Sequence, residues 1–190
     1  MPDSSASSRR PTSRLTSPGS TAASQRRLQA ALALLLVVDE LPDGSADALQ
    51  EYIDTHHEFL SWLGVTVERL ERGRAVMAIP YDRKLTNVPW TGAEDDTRHP
   101  IQGGVAATLT DTAGGMALRG ELDNPLTAGM ATINLNVNYL EAARGDLTAT
   151  AEVTRAGKTV GVSEILLESE HDGETTPVAL ATGAYRLFRA

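Results

Sequence analysis

The sequence predicts an α+β domain in which a curved antiparallel sheet is wound round one long central helix, and three observations carry that reading. Gly103 to Leu118 supplies Val105, Ala106, Leu109, Ala113, Met116 and Ala117 with small residues on nearly every side, the pattern of a helix buried all round. Two strand-like runs, Val65 to Leu70 and Arg74 to Pro80, precede it. Four alternating segments follow it: Met130 to Leu140, Leu147 to Arg155, Thr159 to Ser169 and Pro177 to Phe188. Turn signals at Ala143-Arg144-Gly145-Asp146, Ala156-Gly157 and Asp172-Gly173 separate them. A helix with such small faces needs a wrapper, and a meander with one buried face supplies it.

In chain order, residues 1–27 are rich in Ser, Thr, Pro and Arg and have too little apolar area to offset chain entropy, so they read as a disordered tail. Residues 28–46 form a short apolar helix, Ala30 to Val38, and a linker. Arg26-Arg27 ahead of that run imitates a signal peptide, and Arg9-Arg10 a twin-arginine signal. However, the arginine pair lies far from the run, no small-x-small cleavage site directly follows it, and nine residues cannot span a bilayer. The expected location is cytoplasmic. The domain proper covers 47–190. Leu49, Tyr52, Ile53, Phe59, Leu60 and Leu63 predict one amphipathic helix from Asp47 to Trp62, capped by Ser45 or Asp47 and stopped by Gly64. Glu71-Arg72-Gly73 makes the first hairpin turn. The loop 81–100, with Asn87-Val88-Pro89-Trp90, Gly92 and Glu94-Asp95-Asp96, is long enough to serve a site.

Composition narrows the chemistry. A chain of 190 residues without cysteine is one domain that has no disulfide framework, thiol nucleophile or cysteine-bound metal. Hydrophobic residues reach 41% but aromatics only 4%, which makes core and pocket aliphatic and disfavours stacking platforms for nucleic acid. The tail holds Arg9, Arg10, Arg14, Arg26 and Arg27 against Asp3, leaving 12 basic and 24 acidic side chains in 28–190, a formal charge of −12 that disfavours polyanionic partners. Only Lys84 and Lys158 are lysines; this acid-rich, lysine-poor usage resembles the proteins of salt-loving microbes.

The stretch Gln102 to Gly115 carries the chemistry. Gly103 and Gly104 open the helix, so a ligand can approach the unpaired first-turn N–H groups at the positive end of the dipole; the alternative is a tight turn. Asp111, two turns on, is either a cleft carboxylate fit for general-base or nucleophilic work or a buried, hydrogen-bonded acid.

These residues, with Ile133-Asn134-Leu135-Asn136-Val137-Asn138-Tyr139-Leu140, Gly145-Asp146-Leu147-Thr148-Ala149-Thr150-Ala151 and Gly157-Lys158-Thr159, resemble the hotdog-fold acyl-CoA thioesterases of the phenylacetate-pathway (PaaI-like) type over about residues 55 to 188. That signature is an Asn ahead of His-Gly-Gly with an Asp seven residues after the second Gly, matched here by Asn87, Gly103, Gly104 and Asp111. Gln102 stands where the family has His, and the spacer after Asn87 is unusually long. The resemblance implies hydrolysis of acyl-CoA to acid and free CoA without cofactor or metal. Asp111 would be the base or nucleophile, and Gly103 N–H the polariser of the carbonyl. Asn87 would orient water or substrate, and Thr132 would hold the water. It also implies a homodimer or dimer of dimers, with Asp111 and Thr132 of one chain facing Asn87 and Gly103 of another.

Gln102 and Gly104 complete the substrate contacts. Arg155 and Lys158, flanking a turn, either meet the CoA phosphates or form a solvated hairpin tip. Asn134, Asn136 and Asn138 share one strand face, either lining the substrate tunnel or bonding across subunits. Gly114, Gly115 and Met116 suggest room for an aryl or medium-length acyl group. His56-His57 read as a solvated helix face, and His99 as a loop histidine or a stand-in for the missing His. No membrane or nucleic-acid partner is expected. The rival readings are a non-catalytic acyl-CoA-binding hotdog protein and, third, a hotdog dehydratase on 3-hydroxyacyl thioesters.

Overall fold

The computed structural model describes residues 41, 43–88, 98–122 and 129–188. The expectations for the tail, for Ala30 to Val38 and for Glu94 to Asp96 lie outside them. The elements are α1 (Ser45–His56), α2 (Glu58–Leu63), β1 (Thr66–Glu71), β2 (Arg74–Ile79), a 3-10 turn (Arg83–Leu85), α3 (Gly103–Arg119), β3 (Gly129–Tyr139), β4 (Asp146–Ala156), β5 (Val160–His171) and β6 (Glu174–Phe188).

The single helix expected over 47–62 is two. α1 buries Leu49 and Ile53 and starts behind Gly44; no side chain caps it, so neither Ser45 nor Asp47 has that role. It breaks at His57 (φ −116°, ψ 74°), after Asp54-Thr55-His56, a run of weak helix formers. α2 returns Leu60 and Leu63 to the core and ends on Gly64, whose φ of 78° is the left-handed conformation that closes a helix.

The strands form one antiparallel sheet in the order β1-β2-β4-β5-β6-β3. This corrects the expected meander at one place: β4, β5 and β6 run in sequence, but β3 passes to the far edge and pairs with β6, while β2 flanks β4. α3 carries the chain across the sheet between β2 and β3. The return to β4 passes the start of α3, where Ile101 N–H donates to Ala143 O at 2.8 Å. Asp172 (φ 54°) and Gly173 (φ 81°) make the two-residue β5–β6 turn, both in the conformation that a type I′ hairpin requires.

The inner face is built of small residues. Ala149 and Ala151 on β4, Gly161, Ser163, Ile165 and Leu167 on β5, and Ala179, Ala181, Gly183 and Tyr185 on β6 are all buried against α3. Leu118 fills the space over Gly161, where a Cβ would stand 2.4 Å from Leu118 Cδ2. The expected all-round burial of the helix holds for its second half, Ala113 to Leu118. Its first half keeps an open stripe in which Gly104 is exposed and Ala107, Thr108 and Asp111 are half-buried. That stripe lies open because the sheet stops at β3, beyond which the described residues supply no further strand.

Candidate active site

Asp111 sits where α3 passes from its open half to its buried half. Thr132 on β3 donates Oγ1–H to the carboxylate, lying 2.9 Å from Oδ1 and 3.1 Å from Oδ2. A β-bulge makes this meeting possible: Thr132 pairs with Tyr185 and Asn134 with Ala184, so Ile133 is an extra residue. The bulge resets the alternation, and Thr132 before it and Leu135 and Val137 after it all face inward. It also turns Asn134, Asn136 and Asn138 outward, where Asn138 Nδ2–H donates to Asn136 Oδ1 at 3.0 Å. Asn138 borders an outer-face groove of about 420 Å³ with Thr150, Glu164, Leu166 and Leu180. Asn136 and Asn138 are therefore not brought to Asp111.

Sequence reasoning missed Tyr185 and Ser163. Tyr185 Oη–H donates to the backbone carbonyl of Asp111 at 3.1 Å, and Ser163 Oγ–H to that of Gly114 at 3.1 Å. Together they fix α3 to β5 and β6 at the turn that carries the carboxylate. Burial, reinforced by the nearby Asp111 charge, pushes the Tyr185 phenol above its ordinary pKa. The available signal was one tyrosine in the inward phase of an otherwise small-residue strand, beside Gly183. The room expected at Gly114 and Gly115 is already filled: a Cβ on Gly114 would stand 2.3 Å from Tyr185 Oη, and one on Gly115 2.6 Å from Met130 Cε.

A second group gathers at the start of α3. Gln102 caps the helix, its Oε1 accepting from the N–H of Gly104 and, at 3.3 Å, of Val105. This leaves the Gly103 N–H without an acceptor among the described residues. Asn87, Gly103, Tyr139, Ala143, Leu167 and Val178 help to line a pocket of about 270 Å³ there. Tyr139 Oη–H donates to Gly103 O at 2.7 Å, which holds β3 to the helix start. His99 is 7% exposed and does not line this pocket; its carbonyl accepts from Tyr81 Oη at 3.1 Å.

The two groups are separate within one chain. Asp111 lies eight positions beyond Gly103 on α3, about 12 Å along the axis. Arg155 and Lys158 are exposed at the β4–β5 turn. From there, Val160 to Leu167 is about 23 Å along β5, so these two residues do not border the same chain's pocket. His56, stacked on Tyr52 at 4.8 Å, ends α1 away from either group.

A six-stranded antiparallel sheet curled on one helix is the hotdog architecture. Residues 101–176 match the Thioesterase superfamily. A presumptive esterase of Halobacterium salinarum is 48% identical over 150 residues, covering 77% of this chain and 95% of that protein. A presumptive esterase of Saccharolobus solfataricus is 30% identical over 143 residues, covering 75% of this chain and 91% of that one. A crystal structure of a thioesterase family protein from Silicibacter pomeroyi superposes with a TM-score of 0.64 at 25% identity, covering 76% of this chain and 99% of that one. The chain belongs to the thioesterase superfamily. Among the described residues no helix is long and apolar enough to cross a membrane.

Proposed function

We propose that this chain hydrolyses acyl-CoA thioesters to the free acid and CoA, in the manner of the PaaI-like branch whose residue pattern it resembles. The observation that carries the reading is the half-buried Asp111 carboxylate, held by Thr132 and anchored through its backbone to Tyr185. Asp111 takes a proton from water as general base, or attacks the carbonyl itself as nucleophile, in which case water then hydrolyses the acyl-aspartyl anhydride left when the thiolate departs and so frees the acid and the carboxylate. Thr132 donates its own proton to Asp111, so its remaining part toward the water is as acceptor. The Gly103 N–H, at the positive end of α3, stabilises the oxyanion that forms as the thioester carbonyl is attacked. Collapse of that intermediate expels the CoA thiolate. Asn87 and the Gln102 Nε2 donors orient the carbonyl.

One carbonyl cannot touch Gly103 and Asp111 of the same chain across about 12 Å. The working unit is therefore a homodimer or a dimer of dimers, with the unpaired edge of β3 as the joining element. Ile133 on that strand is 58% exposed and Tyr139 55%. The test is thiol release from phenylacetyl-, benzoyl-, short- and medium-chain acyl-CoA at high salt, the solvent that the acidic composition and the Halobacterium relative suit. Asp111→Asn is expected to lower kcat by about 10²–10⁴-fold with melting and oligomer size kept. Full activity in that variant overturns the assignment of Asp111. Absence of turnover on every substrate leaves an acyl-CoA-binding hotdog protein.

A further inference from the structure

We infer that Arg98 and Arg144 form an anion subsite at the rim of the Gly103 pocket that takes the phosphates of the substrate's carrier; the identity of that carrier rests on the acyl-CoA reading above. The two arginines lock each other in place. Arg144 Nη1 donates to Arg98 O at 2.6 Å, and Arg98 Nη1 lies 3.5 Å from Arg144 O. The Arg98 guanidinium also lies 4.6 Å over the Tyr81 ring and 3.5 Å from His171 Nδ1. Each guanidinium keeps further N–H donors, already ordered at no cost to the ligand.

Three described carboxylates on the adjoining strands and turns have contacts of their own. Asp146 accepts from Tyr81 N–H at 2.8 Å, Glu170 from Gly173 N–H at 3.0 Å, and Asp172 faces His171 at 3.3 Å. Among the described residues neither guanidinium forms an ion pair with a carboxylate, in a body that carries twice as many acids as bases. Fork-shaped donors in that arrangement suit a phosphate or pyrophosphate. The position fits the proposed substrate. Pro100 and Ala143, each within two residues of one of these arginines, line the pocket that holds Gly103. A chain whose thioester end lies at Gly103 would leave the pocket past Arg98 and Arg144.

The experiment compares wild type, Arg98→Ala, Arg144→Ala, Arg98→Lys and the Arg155→Ala/Lys158→Ala pair at one fixed salt concentration. Titration calorimetry with CoA, dephospho-CoA and pantetheine reads the subsite without requiring turnover. Each alanine variant is expected to bind CoA about tenfold more weakly, with Arg98→Lys between it and wild type. Loss on both CoA and dephospho-CoA assigns the pyrophosphate, and loss on CoA alone the 3′-phosphate. KM for an acyl-CoA should rise about as much with kcat kept, while KM for the matching acyl-pantetheine stays unchanged. Equal affinity of wild type and both alanine variants for CoA overturns the subsite, as does weakening confined to the Arg155/Lys158 pair. If wild type binds CoA through these arginines but hydrolyses neither thioester, the subsite stands and the hydrolase reading falls.

Discussion

Exchanging Gly114 for alanine tests whether close contact with β5 and β6 holds α3 in place. In an exposed helix this exchange stabilises by about 1 kcal/mol. Here the new Cβ would stand 2.3 Å from Tyr185 Oη, 2.8 Å from Ser163 Oγ and 3.0 Å from Ile165 Cδ1. The first of these is roughly 1 Å inside ordinary contact distance. All three groups are rooted in the sheet, so α3 must withdraw from two strands at once, stretching the 3.1 Å bonds from Tyr185 to Asp111 O and from Ser163 to Gly114 O. Overpacking costs about 1–3 kcal/mol and each weakened bond about 1 kcal/mol. Set against the propensity gain, the net loss is about 2–4 kcal/mol, a fall in Tm of roughly 5–15 °C for a chain of this size.

Gly115→Ala is the matched control. Its Cβ would meet Met130 Cε at 2.6 Å and Tyr185 only at 3.6 Å. Met130 ends in a flexible thioether that can swing aside, so the propensity gain survives and Tm stays at or above that of wild type. Circular-dichroism melts of the three proteins at one salt concentration decide the matter. A Gly114→Ala protein that melts no lower than wild type refutes the contact argument. Equal falls in the two variants refute its locality.

Three further outcomes follow from the same geometry. Thr132→Val keeps side-chain shape but removes both contacts to Asp111, and is expected to lower kcat by about 10–100-fold in steady-state assays while Tm changes little. Gln102→Glu keeps an acceptor for the Gly104 and Val105 N–H groups but loses the Nε2 donors; kcat/KM should fall about tenfold with Tm unchanged, and an unchanged kcat/KM would remove Gln102 from the site. The pKa of Tyr185 is raised on folding, so its contribution to stability is complete below the unfolded value of about 10 and is lost as pH rises beyond it. Tyr185→Phe should therefore show a shallower fall in urea midpoint between about pH 9 and pH 11.

Some of this architecture could be read from residues and some could not. α3 was legible because few structures other than a buried helix accommodate Ala106, Leu109, Ala113, Met116 and Ala117 among glycines. The place of β3 was not, since pairing with β4 or with β6 demands the same inward phase. The bulge at Ile133 was hidden for a similar reason. Ile133-Asn134-Leu135-Asn136-Val137 alternates without interruption, and the change of face shows only in the meeting of Thr132 with Asp111, a contact across 21 residues. Gln102 counts as a substrate contact through its place in the family pattern, where His is usual; its second role as helix cap does not show there, since glutamine is not a usual cap and only the backbone at φ −65°, ψ 132° brings its oxygen over the first turn.

The boundary at Asp111 explains why a carboxylate is tolerated in the most closely packed helix of the fold. One turn further on, burial is complete, and an ionised side chain would need a buried partner. One turn earlier, the helix is open, and water would leave the carboxylate with little orientation. At Asp111 the backbone carbonyl turns to Tyr185 on the sheet side while the carboxylate turns to Thr132 on the edge strand, so position is fixed from one direction and charge is satisfied from the other. On the proposed reading, a second copy set against β3 would pair that edge, cover the open stripe of α3 and bring a partner's Gly103 N–H toward Asp111 in the same event. Catalysis should then depend on association more steeply than folding does. Dilution into the range where the dimer dissociates is expected to abolish turnover while the far-ultraviolet spectrum remains that of the folded chain, and activity that survives as a monomer would place the oxyanion donor within the chain that carries the carboxylate.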